Sequence, residues 1–512
     1  MPDLLTFDVP GLVSLPSFDG EDGAGVEGVS AVRRSGRLLL RSTYLDAADL
    51  RLARDGVRLR HQSGGGPAQW QLRLGDDEVV VPGAVTAVPA QVIDLLLVRL
   101  RGEPLVPVAA LRTERHVLVL LGAQEEELAE LVDDEVAVLD GRRVALKHRE
   151  LTLRRGERPD RDSYDGDQPV PEPKRVVEDV AQLLLAAGAV TGEQVPAVSR
   201  ALGPRASAAP EVPRPGALSP DSPAGDVAVH ALRSGTRKLI EADTAVRLGS
   251  PDGVHQLRVS CRRLRSDLTT FAPLVDPARA EALREGTRWL AGELGPARDT
   301  EVLRERLAAS AASDTLLPIE PSALLRLDAR LAARAAAAEE RAVAALREQR
   351  YLALVGALIA ACTDPGRTAL AARPADEVLP ALVGHAWHRL EQRAGKLRRG
   401  DPDERWHDAR KAAKRARYAA EAVVPALGKR ATATAKAAAA LQEVLGEHQD
   451  GAVAADALIL LAAEDGVDAA YAVALGRLAE RQRASVLAAR AAFPAVWRTT
   501  SVAKVARWTS PA

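Results

Sequence analysis

His255-x-x-Arg258-x-x-x-Arg262-Arg263-x-Arg265 is followed, 152 positions later, by His407-x-x-Arg410-x-x-x-Lys414-Arg415-x-Arg417. A histidine with cations at i+3, i+7 and i+10 marks one face of an α-helix. At roughly 100° per residue, all four fall within an arc of about 80°. Like charges stacked so closely repel, and a fold gains nothing by arranging this twice. The pattern predicts two basic helices and a strongly anionic ligand.

The repeat extends beyond these helices. Leu290-x-x-x-Leu294-Gly295-x-x-Arg298-Asp299 corresponds to Leu441-x-x-x-Leu445-Gly446-x-x-Gln449-Asp450, and upstream Arg237 and Arg247 correspond to Arg389 and Arg399. Matches in order at a near-constant offset predict duplication of a helical unit of about 150 residues. Leu257, Leu264 and Leu268 flank the first charged arc, and Ala409, Ala416 and Ala420 the second, so each helix buries an apolar face beside a cationic stripe. Two such stripes lining one groove would raise the local potential. Guanidinium groups suit phosphate oxygens, and a nearby phosphate favours the charged imidazole.

Net charge is −1 over 512 residues, so an anion site has to be a local concentration of charge. Two cysteines, Cys261 and Cys362, exclude a disulfide framework and suit a reducing compartment. Met1 to Asp8 lacks the pattern of a signal peptide, and no run of about 20 apolar residues occurs. The expectation is a soluble cytoplasmic protein with no membrane partner.

Residues 1–155 read as β-rich. Leu38–Leu45, Val57–Arg60, Trp70–Leu74, Val117–Leu120 and Glu150–Leu153 alternate partially and are punctuated by Gly and Asp, which predicts antiparallel strands curled into a barrel. Residues 174–203 read as helical, ending at Gly203-Pro204 and completing a domain over 1–203. Residues 204–225, rich in Pro, Ala and Ser, read as a linker. From 226 to 508 apolar residues recur at three and four. Breaks fall near Gly249–Gly253, Asp314–Pro321, Asp364–Gly366, Gly400–Asp403 and Gly466. The expected fold class is α+β multidomain: an antiparallel β tunnel or barrel, then an all-α duplicated helical bundle with halves at about 226–365 and 375–508.

The second part resembles the conserved-histidine α-helical domain, CHAD. The likeness rests on His255-Gln256-Leu257-Arg258-Val259 with Arg262-Arg263-Leu264-Arg265 and on Leu294-Gly295 with Arg298-Asp299. It continues in His407 with Lys411 and Lys414-Arg415-x-Arg417-Tyr418, and in Leu441-Gln442-x-x-Leu445-Gly446-x-His448-Gln449-Asp450. The resemblance implies two pseudo-symmetric bundles that bind inorganic polyphosphate in a basic groove. Carried over by position, the implied contacts are His255, Arg258, Arg262, Arg265, His407, Arg410, Lys414 and Arg417. Arg263, Arg415, Lys411, Arg237, Arg389 and Arg298 are further candidates. A metal reading of His255, His407 and His448 is disfavoured by the cations that crowd them.

Residues 1–155 resemble a CYTH domain, a triphosphate-tunnel barrel, through Phe7-Asp8-Val9-Pro10, Ser42-Thr43-Tyr44-Leu45-Asp46, Leu50-Arg51-Leu52, Gly56–Arg60, Trp70–Leu74, Leu128–Asp134 and Arg149-Glu150-Leu151. That family holds triphosphate on basic side chains and a divalent metal on alternating glutamates. Here the opening Glu-x-Glu-x-Lys positions are Pro2, Leu4 and Thr6, and the closing Glu-x-Glu keeps Glu150 but has Thr152. Arg58, Arg60, Arg73, Arg112 and Arg115 remain candidates for binding an anion, with no catalytic or metal residues expected.

The expected function is a non-catalytic polyphosphate-binding protein, placed on polyphosphate granules and needing no cofactor. The alternative is an inorganic triphosphatase using Mg²⁺ or Mn²⁺, with the helical domain recruiting polyphosphate. Nucleic acid is not an expected partner, because 3% aromatic residues leave few stacking platforms for bases. A helical scaffold for another protein would leave the duplicated stripe unexplained.

Overall fold

In the computed structural model the chain forms two compact units, Met1–Glu211 and Val212–Ala512. The structure describes residues 4–10, 13–19, 25–157, 172–192, 197–313, 318–464, 466–500 and 507–509.

Alternating burial builds the strands of the first unit. They are β1 (Leu4–Val9), β2 (Ala31–Arg34), β3 (Leu38–Asp46), β4 (Val57–Ser63), β5 (Gln69–Leu74), β6 (Asp77–Pro82), β7 (Val106–Leu121), β8 (Glu127–Asp140), β9 (Arg143–Arg155) and β10 (Val190–Thr191). They form one sheet in the order β10-β1-β9-β8-β7-β3-β4-β5-β6, with β2 added on β7, and every pairing is antiparallel. Gly141, at φ 60°, turns the tight hairpin between β8 and β9. Asp46 is buried where β3 ends. It accepts hydrogen bonds from the backbone N–H groups of Ala47, Leu52 and Ala53, so this motif residue organises the short helix α1 (Arg51–Arg54).

The sheet has two unlike faces. On one, Phe7, Val9, Leu118, Leu131, Leu151 and Leu153 pack against Val176, Val177, Val180 and Leu184 of a helix at Pro173–Ala186. The other is concave, and residues of β3 through β9 line a common cavity there. Further helices are α2 (Ala90–Leu100), α3 (Pro173–Ala186) and α4 (Ala197–Leu202).

The helix expected over 174–203 is interrupted. Its first part ends at Ala186, Gly188 takes φ 99°, and Val190-Thr191 add to the edge of β1. Residues 193–196 lie outside the described residues. The Pro/Ala/Ser-rich stretch is anchored within each unit rather than free. In the first, Arg54 donates to the Ala209 carbonyl and Arg101 pairs with Glu211. In the second, Val212 is buried and Leu218 packs on the helical core.

The second unit contains α5 (Ala224–Arg247), α6 (Gly253–Thr270), α7 (Pro277–Ala312), α8 (Pro321–Ala345), α9 (Gln349–Ala361), α10 (Ala375–Ala394), α11 (Asp403–Ala422), α12 (Val424–Leu427), α13 (Lys429–Ala462) and α14 (Ala469–Thr499). α5, α6, α7 and α8 pack each on the next, and α10, α11, α13 and α14 do the same. Leu257, Cys261, Leu264 and Leu268 form the buried face of α6, and Ala409, Ala412, Ala413 and Ala416 that of α11. Residues 314–317, inside one expected break, lie outside the described residues. Among the described residues, no helix is long and apolar enough to cross a membrane.

Candidate anion-binding site

Each basic helix lies along the face of its neighbour that carries the Leu-Gly-x-x-x-Asp repeat. On α6, Arg258 donates to the Gly295 carbonyl at 3.3 Å and to Asp299 Oδ1 at 2.7 Å, both on α7. On α11, Arg410 donates to Asp450 Oδ1 at 3.1 Å on α13. A Cβ built on Gly446 would meet Arg410 at 3.9 Å, so alanine fits there and anything longer competes with the guanidinium. His255 lies beside Arg298, and His407 Nδ1 is 2.5 Å from Gln449 Oε1. The two halves thus use matching rungs.

Lys414 joins the stripes. Burial pushes its ammonium down to about 8, with Arg410 and Arg262 reinforcing the effect, Asp450 opposing it and Arg258 adding to it. A lysine of the second stripe therefore sits among two arginines of the first. Arg262 Nε donates to Tyr418 Oη at 2.9 Å, from one stripe to the other basic helix. Asp299 pairs with Arg258 and Asp450 with Arg410, and Asp450 also lies against Lys414. Burial, then Arg298, holds His255 below its ordinary value, with Arg262 adding to the effect. Arg265 is likewise lowered, by burial first and then by Arg288, with Arg284 and Arg415 contributing.

Arg263 and Arg417 have carboxylate partners instead. Arg263 pairs with Glu421 and with Asp267, and Arg417 Nε donates to Glu421 at 2.7 Å. Burial drives the Asp267 carboxyl up to about 7 against the pull of Arg263. These groups line a cavity of about 820 Å³ between α5, α6 and α11, together with Arg262, Lys238 and Tyr418.

Several candidates lie elsewhere. Arg237 faces Glu241 at 3.9 Å and the Val212 carbonyl at 3.5 Å, because α5 turns its Ser234–Lys238–Glu241 face to the cavity. Arg389 is exposed on α10, next to buried Leu390. Lys411 pairs with Asp408 on an exposed flank. Arg298 stays beside His255 but is paired with Glu301. His448 is buried, stacked on Trp406, and accepts from Arg490 Nε at 3.0 Å.

In the first unit, Arg58, Arg60, Arg73 and Arg115 line the concave face, around a cavity of about 250 Å³. Arg112 does not. Leu111, Thr113 and Arg115 point inward along β7, so strand alternation turns Arg112 outward, where it is exposed. Arg58 and Arg73 are directly paired across β4 and β5, and burial, then Arg73, lowers Arg58. Opposite them runs a cross-strand row of Asp8, Glu150, Asp134 and Arg115. Arg115 grips Asp134 at 2.7 and 2.6 Å, and Arg200 grips Asp8 at 2.6 and 2.8 Å. Burial, then Asp134, raises Glu150. Thr6 and Thr152 are paired on the same face as this row, and Pro2 lies outside the described residues. Asp8 and Asp134 are invisible as site residues in the sequence, since only the pairing register aligns them with Glu150.

The CHAD domain profile matches residues 230–459. The chain is 31% identical over 480 residues to the uncharacterized protein MT2285 of Mycobacterium tuberculosis (strain CDC 1551 / Oshkosh), covering 88% of this chain and 87% of that protein. Among solved structures, PptA from Streptomyces chartreusis is similar at 28% identity and a TM-score of 0.47, over 54% of this chain and 100% of that one. The CHAD domain from the plant Ricinus communis is similar at 30% identity and a TM-score of 0.44, over 55% and 94%. The antiparallel sheet of the first unit is consistent with a CYTH-like tunnel. By its profile match and its relative over 480 residues, the chain belongs to the CHAD domain family.

Proposed function

We propose that this protein binds inorganic polyphosphate along the seam between α6 and α11, without hydrolysing it, and that it resides on polyphosphate granules. The observation that carries the reading is Lys414 lying among Arg258, Arg262 and Arg410, so that cations of both stripes converge on one place. A linear chain of phosphates offers regularly spaced oxygens to such a row, and guanidinium groups bind them with directed hydrogen bonds. His255 and His407 flank the row, and His255, held below its ordinary value in the free protein, would gain charge beside a phosphate.

The test is competition binding of the full chain to long-chain polyphosphate, tripolyphosphate and single-stranded DNA at one salt concentration. Preference for polyphosphate is expected, together with its loss in Arg258→Glu/Arg410→Glu and an unchanged circular dichroism spectrum. Equal affinity for DNA would defeat the proposal.

A second reading, triphosphatase activity, is favoured by the carboxylate row facing Arg58 and Arg73. Mg²⁺ or Mn²⁺ does not fit that row. Asp134 and Asp8 are held by Arg115 and Arg200, and Thr6 and Thr152 offer no carboxylate. We expect no phosphate release from tripolyphosphate with either ion. Turnover that disappears in Glu150→Ala would establish the enzyme instead.

A further inference from the structure

We infer that the bound polyanion leaves the central seam on one side only, across Arg265, Arg288 and Arg415, which makes Arg288 of α7 a binding residue and gives the duplicated site a direction. The inference rests on the polyphosphate reading of the seam.

Helix geometry comes first. Arg284, Arg288, Ala291, Gly295 and Arg298 recur at threes and fours along α7, so they share one face. That face lies antiparallel to the α6 stripe, because His255 is beside Arg298 and Arg258 reaches the Gly295 carbonyl. Continuing this register two turns onward sets Arg265 beside Arg288. The action of Arg288, Arg284 and Arg415 on the charge of Arg265 agrees with that placement.

The repeat then exposes an asymmetry. Arg263 corresponds to Arg415, and Arg265 to Arg417. Arg263 and Arg417 occupy one flank of the α6–α11 contact, where Glu421 binds both and Asp267 binds the first. On the opposite flank the corresponding positions are Thr269 for Glu421 and Ala419 for Asp267, so both carboxylates are gone. Among the described residues, no carboxylate forms an ion pair with Arg265, Arg288 or Arg415, whereas Arg284 has Glu281. The α13 position matching Arg288 is Ala439. One flank is therefore neutralised within the protein. The other adds a cation and removes its counter-charges. Repelling cations without internal partners are held together by the fold, and a polyanion relieves the repulsion.

The experiment measures polyphosphate affinity of the full chain in paired variants. Arg265→Gln/Arg288→Gln should weaken binding about tenfold or more, as expected for losing charge-assisted hydrogen bonds. Arg263→Gln/Arg417→Gln should weaken it less than about threefold, since those groups are already engaged. Thr269→Glu, which copies the Glu421 carboxylate onto the open flank, should reproduce the loss without removing any cation. Thermal unfolding of each variant separates lost binding from lost fold. Equal losses from both arginine pairs, or no effect of a folded Thr269→Glu, would overturn the inference while leaving the polyphosphate reading intact. Failure of the unaltered protein to bind polyphosphate would overturn both.

Discussion

Lys414 shows how a single side chain ties stability to function. Its folded-state pKa, about 8, lies below the ordinary lysine value because burial and three arginines disfavour its charge. The unfolded chain therefore holds this proton more tightly, and the group costs stability at neutral pH, a cost relieved as pH rises through about 8 toward the ordinary value. Lys414→Gln should accordingly stabilise the free protein by roughly 1–3 kcal/mol at pH 7 while weakening polyphosphate binding. Chemical denaturation read beside the binding assay checks both halves. In the unaltered protein, bound phosphate should draw the proton back, so affinity falls as pH rises above about 8, and Lys414→Arg should flatten that dependence. Lys414 stands in the sequence as one member of a stripe. Its position among cations of the other stripe becomes visible only when α6 and α11 are brought together across roughly 150 residues of chain. Asp299 and Asp450 were legible as parts of the repeat, but their roles as partners of Arg258 and Arg410 depend on the same packing.

Individual elements were legible where one periodicity governed them. The 3.6-residue pattern located the bodies of α6 and α11, and the Gly and Pro clusters located the breaks around Gly249, Gly366 and Gly466. The sheet was less legible. β7, β8 and β9 run well past their apolar cores, and Arg143–Lys147 of β9 are exposed, so hydrophobic alternation marks only their middles. Arg112 and Arg115 look alike in sequence, and their opposite faces follow from register alone. The two basic helices also differ in how they pack. α6 fills its interior with Leu257, Leu264 and Leu268, whereas α11 approaches its neighbours through fully buried alanines, including Ala413 and Ala416. They should fail in opposite ways. Leu264→Ala opens a cavity and is expected to cost about 2–5 kcal/mol. Ala416→Leu forces volume against Ala438, Leu441 and Leu445 and should cost about 1–3 kcal/mol. Thermal unfolding measures both, and a neutral Ala416→Leu would mean that α11 packs loosely.

At the scale of the molecule, a net charge of −1 coexists with a concentrated cationic seam. Acidic residues elsewhere cancel most of the total, and Asp299 and Asp450 offset only part of the seam's own charge, so binding should follow the local arrangement and not the overall charge. The first unit makes the same point with other means. Its arginines and carboxylates face one another across the concave sheet, and Arg115 and Arg200 are occupied by Asp134 and Asp8. The seam in the second unit, by contrast, keeps Arg265 and Arg288, with which no carboxylate among the described residues forms an ion pair. Neutralising several phosphates releases their condensed counterions, and each contact steepens the salt dependence by about 0.7 in the single-strand limit. With roughly six cations engaged, a fourfold rise in salt from about 50 mM should weaken polyphosphate binding by about two and a half orders of magnitude. Arg265→Gln/Arg288→Gln should make the dependence shallower by roughly one to two units of slope, whereas Arg112→Gln, on the outer face of β7, should leave it unchanged. Titrations across a salt series measure each slope. A slope near zero in the unaltered protein would mean that the anion is held by neutral donors and that the repeated cationic stripes serve another purpose.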